Sequence, residues 1–150
     1  MIICDQVLCH RYAHLVLLLH GFSDEELYQI EGAVKLFVQC NGIVNGVSVK
    51  IEKDKLKQAD LKNFAWNIDN QYNIDAEVLA MFVLNLFHSW FKNTEIESIR
   101  KTLRNTTGNY SIEIDENIIG HLPKLKEKYL ARIANNVFVD FYFCLSLLPQ

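Results

Sequence analysis

The feature that most constrains the fold is an almost entirely apolar run over residues 78–91. The run is longer than a typical strand and has polar residues on both sides, so it predicts a helix over residues 73–92. Asn73 or Asp75 is the expected N-cap, because either side-chain oxygen can accept a hydrogen bond from the first turn. Apolar side chains would cover about two thirds of this helix, so we expect the rest of the chain to surround it.

One polar stripe interrupts the apolar surface of this predicted helix. At about 100° per residue, Met81 and five polar residues fall on the same face at helical spacings. The polar members are Glu77, Asn85, His88, Ser89 and Lys92. Such an edge on a buried helix faces either solvent or a partner. These five residues are therefore the binding surface that the sequence predicts.

Length and charge narrow the class of protein. The chain has 150 residues, a formal net charge of −3 and a pI near 5.9. Its length fits a single globular domain over residues 1–150, and its acidic balance argues against nucleic-acid binding. The N-terminus lacks the basic region of a signal peptide, and the apolar segment 137–148 is too short to span a bilayer. We expect a soluble cytoplasmic protein without a cofactor or a membrane partner.

The clearest local signal is a capping box, Ser23-Asp24-Glu25-Glu26. The Ser23 hydroxyl can accept from the Glu26 amide while the Glu26 carboxylate accepts from the Ser23 amide. A helix is expected from here to Asn41-Gly42. The alternative ends the helix at Gly32, with a strand over residues 33–40 and a hairpin turn at residues 41–42.

The remaining segments predict an α+β fold. Apolar runs or alternation indicate strands over residues 12–22, 43–52, 110–115 and 137–148, and the last could also be a buried helix. Further helices are expected over residues 53–66, over residues 94–104 with Thr94 as cap, and from about residue 122 to Asn135-Asn136 with Pro123 in its first turn. The expected architecture is a small mixed or antiparallel sheet of about 3–4 strands, packed with about 4–5 helices around the central helix 73–92.

Residues 15–23, Leu-Val-Leu-Leu-Leu-His-Gly-Phe-Ser, resemble the strand and His-Gly turn that lead into the oxyanion hole of α/β-hydrolases. That mechanism also requires a nucleophile on a Gly-x-Ser-x-Gly turn. The chain contains no such motif. No catalytic role is carried over to these residues.

Four residues near the N-terminus are weak candidates for a metal site: Cys4, Cys9, His10 and His14. Thiolate and imidazole are zinc ligands, and His10 and His14 would share one face of a helix. Structural zinc sites usually have a second pair of ligands further along the chain, which is absent here. We therefore predict no metal site.

The absence of a complete catalytic motif favours a non-catalytic protein-interaction module, such as a small inhibitor, an immunity or antitoxin-type protein, or an adaptor. Its partner would be another protein, for example a basic toxin or enzyme, and a homodimer is left open. The alternative is a small enzyme of hydrolase or transferase type with a site assembled only in the fold. Its candidate residues are His20, His88 or His121 as base and Cys40 or Cys144 as nucleophile. A Cys/His metal-binding regulator is a weaker alternative.

Overall fold

The described part of the chain folds into a helical assembly. The computed structural model describes residues 3–40 and 49–146, with side chains described for residues 8–39 and 49–135. The helices are α1 (Ile3–Leu19), α2 (Asp24–Cys40), α3 (Gln58–Asp69), α4 (Ala76–Leu86), α5 (Ile96–Lys101) and α6 (Leu122–Ser146), with a 3-10 turn at His88–Trp90. Helix α1 packs against α2 and α6, while α4 packs against α2, α3 and α5.

The α+β prediction is wrong, because the described residues contain no strand. Most of the strand expected over residues 12–22 belongs to α1. The buried residues of α1 recur at intervals of three and four, which is the period of a helix face. They are Cys9, Tyr12, Ala13, Val16 and Leu17, all at most 8% exposed. The shorter run at residues 15–19 fits a buried strand and a buried helix equally well.

Two other strand predictions are also wrong. Residues 110–115 form neither helix nor strand, and residues 137–146 continue α6 beyond the stop expected at Asn135-Asn136. Of the strand expected over residues 43–52, residues 49–52 are irregular, and the remainder lies outside the described residues. An alternating or apolar pattern cannot form a strand unless another strand is placed beside it.

The capping box of α2 is confirmed. The Ser23 amide donates to Glu26 Oε1 at 2.9 Å, and the Glu26 amide donates to Ser23 Oγ at 3.2 Å. The helix continues through Gly32, so the alternative strand at residues 33–40 is wrong, whereas the turn predicted at residues 41–42 lies outside the described residues. Burial alone would raise the pKa of Glu26, but hydrogen bonds from Lys53 and Ser23 lower it overall.

The central helix is present but shorter than predicted. Helix α4 ends at Leu86 instead of reaching residue 92. Asp75 is its cap and accepts from the Glu77 amide at 3.0 Å, whereas Asn73 lies before the helix with a left-handed φ of 59°. The side chains that α4 buries are Leu79, Ala80, Phe82, Val83 and Leu86. Helix α4 shares the core with α1, α2 and α3, which also contribute fully buried side chains.

A chain of aromatic rings connects the helices through this core. The Phe64 ring of α3 lies 5.9 Å from Tyr12 of α1 and 5.9 Å from Phe87, which follows α4. Phe87 in turn meets Trp90 edge-on at 6.0 Å, and Trp90 stacks with Phe22 at 6.4 Å. Aromatic pairs stabilise a fold by more than the burial of their area. These rings therefore hold α1 and α3 against the turn after α4.

The shorter elements also differ from expectation. Helix α3 begins at Gln58 instead of residue 53, ends at Asp69 instead of residue 66, and is buried on one face. Thr94 does not cap α5, because Glu95 occupies the cap position without a side-chain hydrogen bond. Helix α6 begins at Leu122, which confirms that Pro123 lies in its first turn. None of the described helices combines the length and the apolar character that a membrane-spanning helix needs.

Asp69 connects the end of α3 to the start of α4. Its Oδ1 accepts from the Ile74 amide at 2.9 Å. Burial raises the pKa of Asp69 to about 6; the Ile74 hydrogen bond lowers it, and the nearby Asp75 raises it. The folded state therefore holds more protons on this carboxyl than the unfolded chain does in the window from about pH 4 to about pH 6.

We expect Asp69→Asn to be more stable than the unsubstituted protein at pH 7. The Asn oxygen can still accept from Ile74 but cannot ionise, and stability falls with rising pH when the folded state binds more protons. The advantage should shrink towards pH 4. Urea unfolding at pH 4 and pH 7 measures both differences, and a variant that gains nothing between the two pH values would contradict the prediction.

Candidate functional site

Residues 102–121, which we call the long loop, join α5 to α6 without helix or strand. Loops longer than about 12–15 residues without secondary structure are uncommon in compact domains and are usually functional or disordered. This segment is held in place by buried side chains of α3, so disorder does not describe it. It is the candidate functional site.

The support for the long loop comes from three polar residues of α3: Asp60, Asn63 and Asn67. They are at most 1% exposed. Their spacing of three and four places them on one face, which we call the α3 polar face. Burying a carboxylate or an amide is costly unless its hydrogen-bonding groups are satisfied. The long loop satisfies them.

Asp60 holds the loop and the start of its own helix at once. Its Oδ1 accepts from the backbone amides of Ser111 at 2.8 Å and Ile112 at 3.0 Å. Its Oδ2 accepts from the Lys57 amide at 2.8 Å, which satisfies a free donor at the N-terminus of α3. Hydrogen bonds to a charged acceptor are roughly twice as strong as neutral ones, so Asp60 is the strongest anchor.

Asn63 bonds two separate parts of the long loop. Its Nδ2 donates to the Asn105 carbonyl at 3.1 Å and to the Ile112 carbonyl at 3.0 Å. Its Oδ1 accepts from the Asn105 amide at 2.9 Å. This one side chain therefore draws the beginning and the middle of the loop together.

Asn67 bonds the loop and α1 simultaneously. Its Nδ2 donates to the Glu113 carbonyl at 2.9 Å and to the Tyr12 hydroxyl at 2.9 Å, while its Oδ1 accepts from the Asp115 amide at 2.8 Å. Burial raises the pKa of Tyr12 well above its ordinary value, so the phenol stays neutral. Through Asn67, the position of the loop is coupled to the packing of α1.

The α3 polar face provides hydrogen-bond partners for the backbone of the loop, as a neighbouring strand would in a sheet. The alternation that predicted a strand is partly retained: Ile112 is 4% exposed, while Ser111 and Glu113 face outwards. The backbone partners are amide and carboxylate groups of a helix, however, and not a strand. The sequence signal for this arrangement is the recurrence of Asp or Asn at positions 60, 63, 67 and 70 of one helix.

The loop presents an exposed tip above this fixed base. Residues 106–109 are exposed, and Gly108 has a φ of 113°, which other residues rarely adopt. The Tyr110 hydroxyl donates to the Thr107 carbonyl and closes the tip. A rigid base with an exposed tip is a common arrangement for recognition loops.

A cleft of about 540 Å³ runs beside the loop. Its charged lining includes Glu113, Asp115 and Glu116 against Arg104. The Arg104 guanidinium lies 3.3 Å from Glu116 and 5.2 Å from the Trp66 ring. With one arginine against three carboxylates, this side of the loop is acidic when His121 is neutral.

A second cleft of about 530 Å³ lies between the loop, α1 and α6, and it contains His20 and His121. His121 Nδ1 lies 2.8 Å from Asp115 Oδ2. His20 Nδ1 lies 3.6 Å from Asp54 and is buried without a hydrogen-bond partner, and burial lowers the pKa of His20. His88 is exposed on the 3-10 turn. The side chains of Cys40 and Cys144 lie outside the described part.

The predicted stripe on the central helix is not a single helix face. Because α4 ends at Leu86, Glu77 and Asn85 lie on the helix, whereas the other three members follow it: His88, Ser89 and Lys92. The Ser89 hydroxyl donates to the Val49 carbonyl at 2.7 Å. Whether the stripe binds a partner stays a prediction.

The weak metal candidates have other contacts where they are described. The thiol of Cys9 is buried and accepts from the Tyr72 hydroxyl at 3.3 Å. His14 Nδ1 lies 2.5 Å from Glu31 Oε1, and His10 is partly buried. The Cys4 side chain lies outside the described residues. Within the described ranges, no group of three or more His, Cys, Asp or Glu side chains could hold a metal ion.

Comparison with protein-family models, with curated proteins and with solved structures finds no match to this chain. Function must therefore be argued from the loop, its clefts and the surrounding surface.

We expect Asn67→Leu to destabilise the protein by about 3 kcal/mol, because one buried and two partly buried groups lose their partner and a buried group left unsatisfied costs about 1–3 kcal/mol. The amide of Asp115 should also lose its protection from hydrogen exchange. Urea unfolding and amide exchange followed by NMR measure the two effects.

Asn70→Leu is the matched control, because Asn70 is exposed and makes a single 3.4 Å hydrogen bond to the loop at Glu116. Its cost should stay near 0.5 kcal/mol. If both variants cost the same, or if the Asp115 amide stays protected without Asn67, the α3 polar face does not hold the loop.

Proposed function

We propose that this chain is a non-catalytic protein-interaction module of the inhibitor, immunity or antitoxin, or adaptor type. The outer surface of the long loop is its binding surface, and the partner is a basic protein such as a toxin or an enzyme. The observation that supports this most directly is the fixing of an irregular loop from below by three buried side chains.

Preorganisation is the physical reason that such a loop suits binding. A flexible loop loses conformational entropy when it binds, at about 0.5–1.5 kcal/mol for each immobilised side chain. Asp60, Asn63 and Asn67 impose that cost during folding instead. The exposed residues of the tip can then meet a partner with little further ordering.

Charge gives the proposal its partner class. The carboxylates of Glu113, Asp115 and Glu116 belong to the loop, and within the cleft they face Arg104 and, when it is protonated, His121. Complementary charge increases the association rate and selects against like-charged partners. A cytoplasmic location is part of this proposal.

The test is to recover the partner from the source cell with a tagged chain and then to measure its affinity for charge-reversal variants. Glu113→Lys should weaken binding about tenfold at low salt, and the effect should shrink as salt screens the charges. Glu113 suits the test because only its backbone carbonyl bonds to Asn67. Glu52→Lys changes net charge equally at an exposed position away from the loop and should leave affinity within about twofold.

Two outcomes would contradict the proposal. One is a chain that recovers no stoichiometric partner from its own cell. The other is a complex that tolerates Glu113→Lys but is lost with Glu77→Lys, which would assign binding to the stripe and not to the loop.

A small enzyme is the second candidate, and one observation favours it. The second cleft contains a histidine paired with a carboxylate, His121 with Asp115, beside His20 and the hydroxyls of Tyr110 and Ser111. A histidine oriented by a carboxylate is the usual form of a general base. The cleft is open, however, and His121 is about half exposed.

His121→Gln separates the two candidates. A general base contributes about 10²–10⁴-fold to a reaction rate. Any hydrolytic activity on small ester substrates should therefore fall by about 10²-fold or more in the variant. Partner affinity should not fall with it, because the substitution leaves the carboxylates of the loop in place. An activity that persists in His121→Gln would exclude this histidine as the base.

A further inference from the structure

A second surface, remote in chemistry from the acidic loop, lies between α1, α2 and α6. This groove has a volume of about 410 Å³. It is lined by His14 and Leu15 of α1, by Glu31 of α2 and by Tyr129 and Leu130 of α6.

Apolar side chains of α6 at and beside the groove stay exposed within the described structure. Leu130, which lines the groove, is 51% exposed, and Ile133, next to it on α6 but outside the lining, is 38% exposed. Together with Lys126 and Tyr129, they recur at intervals of three and four, which places them on one face of α6. Helix α1 is apolar on its core side, and Leu15 adds apolar surface on the groove side, where it is only partly buried.

The charges around the groove are unbalanced. Its one carboxylate, Glu31, is held by His14 at 2.5 Å. Arg11 and Lys126 line the groove, and Lys35 lies close enough to affect His10 beside it. None of these three cations has a carboxylate within salt-bridge distance among the described residues.

His10 adds a polar group that lacks a partner. Its Nε2 is buried and makes no hydrogen bond within the described structure. Burial lowers the pKa of His10, Glu31 raises it and Lys35 lowers it, so the net direction favours the neutral ring. A buried polar atom without a partner is costly unless a bound group supplies the missing hydrogen bond.

We infer that this groove docks an amphipathic helix from a partner protein, with apolar residues on one face and carboxylates on either side of that face. Apolar anchors at helical spacing would fill the groove, as in other helix-in-groove complexes. The flanking carboxylates would meet Arg11, Lys35 and Lys126. Charge complementarity therefore selects an acidic helix.

A second copy of the chain fits the groove less well through its Leu36 or Ile133 surface. The exposed apolar residues on its described helices include Leu36 of α2 and Ile133 of α6. Their neighbours in sequence are Lys35 and Arg132, so docking either patch would bring like charges together. The inference does not depend on the proposed function, because it concerns different residues and a partner of opposite charge.

The experiment uses the full chain and two designed helical peptides of about 15 residues, a length at which an isolated helix is marginal. Both carry the same leucine face, one flanked by Glu and the other by Lys. Amide shifts in NMR spectra of the isotope-labelled chain report where each peptide binds. We expect the acidic peptide to shift groove amides of α1 and α6 and to bind at least tenfold more tightly than the basic one.

Leu130→Glu should weaken the acidic peptide by about tenfold or more, because it places a carboxylate in the apolar wall. Lys126→Glu should reduce the preference for the acidic peptide over the basic one. Tyr28→Glu is the matched control, since Tyr28 is 80% exposed on α2 and does not line the groove. Circular dichroism melts verify that each variant is folded.

Several results would overturn the inference. These are equal binding of both peptides, shifts confined to the long loop, or peptide affinity that is unchanged in Leu130→Glu. A concentration-dependent dimer that Leu130→Glu converts to a monomer would instead assign the groove to a second copy. None of these results bears on whether Glu113 contacts a basic partner, so the two proposals can fail separately.

Discussion

The structure depends on the hydrogen bonds between the α3 polar face and the long loop. Asp60, Asn63 and Asn67 would be a serious liability in a helix packed against a hydrophobic core, because each buries groups that water would otherwise satisfy. The loop, which has no strand to pair with, would otherwise leave backbone amides and carbonyls unsatisfied. Each supplies what the other lacks. The loop can therefore be irregular and yet be held in one position.

This contact also determines which parts of the surface remain available. Its inward side is occupied by α3, so the loop turns its carboxylates and its tip outwards. Asn67 contacts helix α1 through the Tyr12 hydroxyl. One side of α1 packs into the core, and another side lines the groove. The protein therefore presents an acidic surface at the loop and a second surface, at the groove, that combines basic and apolar residues. Because both described clefts beside the loop are open, we propose that the two surfaces hold partners and that neither cleft encloses a substrate.

Predictions that depend on residues close together in the sequence were more accurate than predictions that depend on residues far apart. The capping box at Ser23 and Glu26 and the cap at Asp75 are satisfied within a few residues; the first is confirmed, and the second is one of the two caps predicted for the central helix. The strand over residues 110–115 was wrong because its alternation describes which side chains are buried, whereas the backbone partners lie about fifty residues away on α3. The helical face of α1 was visible in the spacing of Cys9, Tyr12 and Val16, but the short run beside it hid the longer period. The polar stripe on the central helix failed as a single face once α4 ended at Leu86.

The sequence by itself determined the capping box of α2, the acidic balance and the positions of several helices, because each depends on neighbours along the chain or on composition alone. It also contained the recurrence of Asp and Asn on α3, although nothing local shows whether such a face meets water or a loop. Only the tertiary structure decided that. The candidate loop, its clefts and the groove beside α1 arise where segments distant in sequence meet, and hydrogen bonds between such segments leave no local pattern from which their partners can be identified.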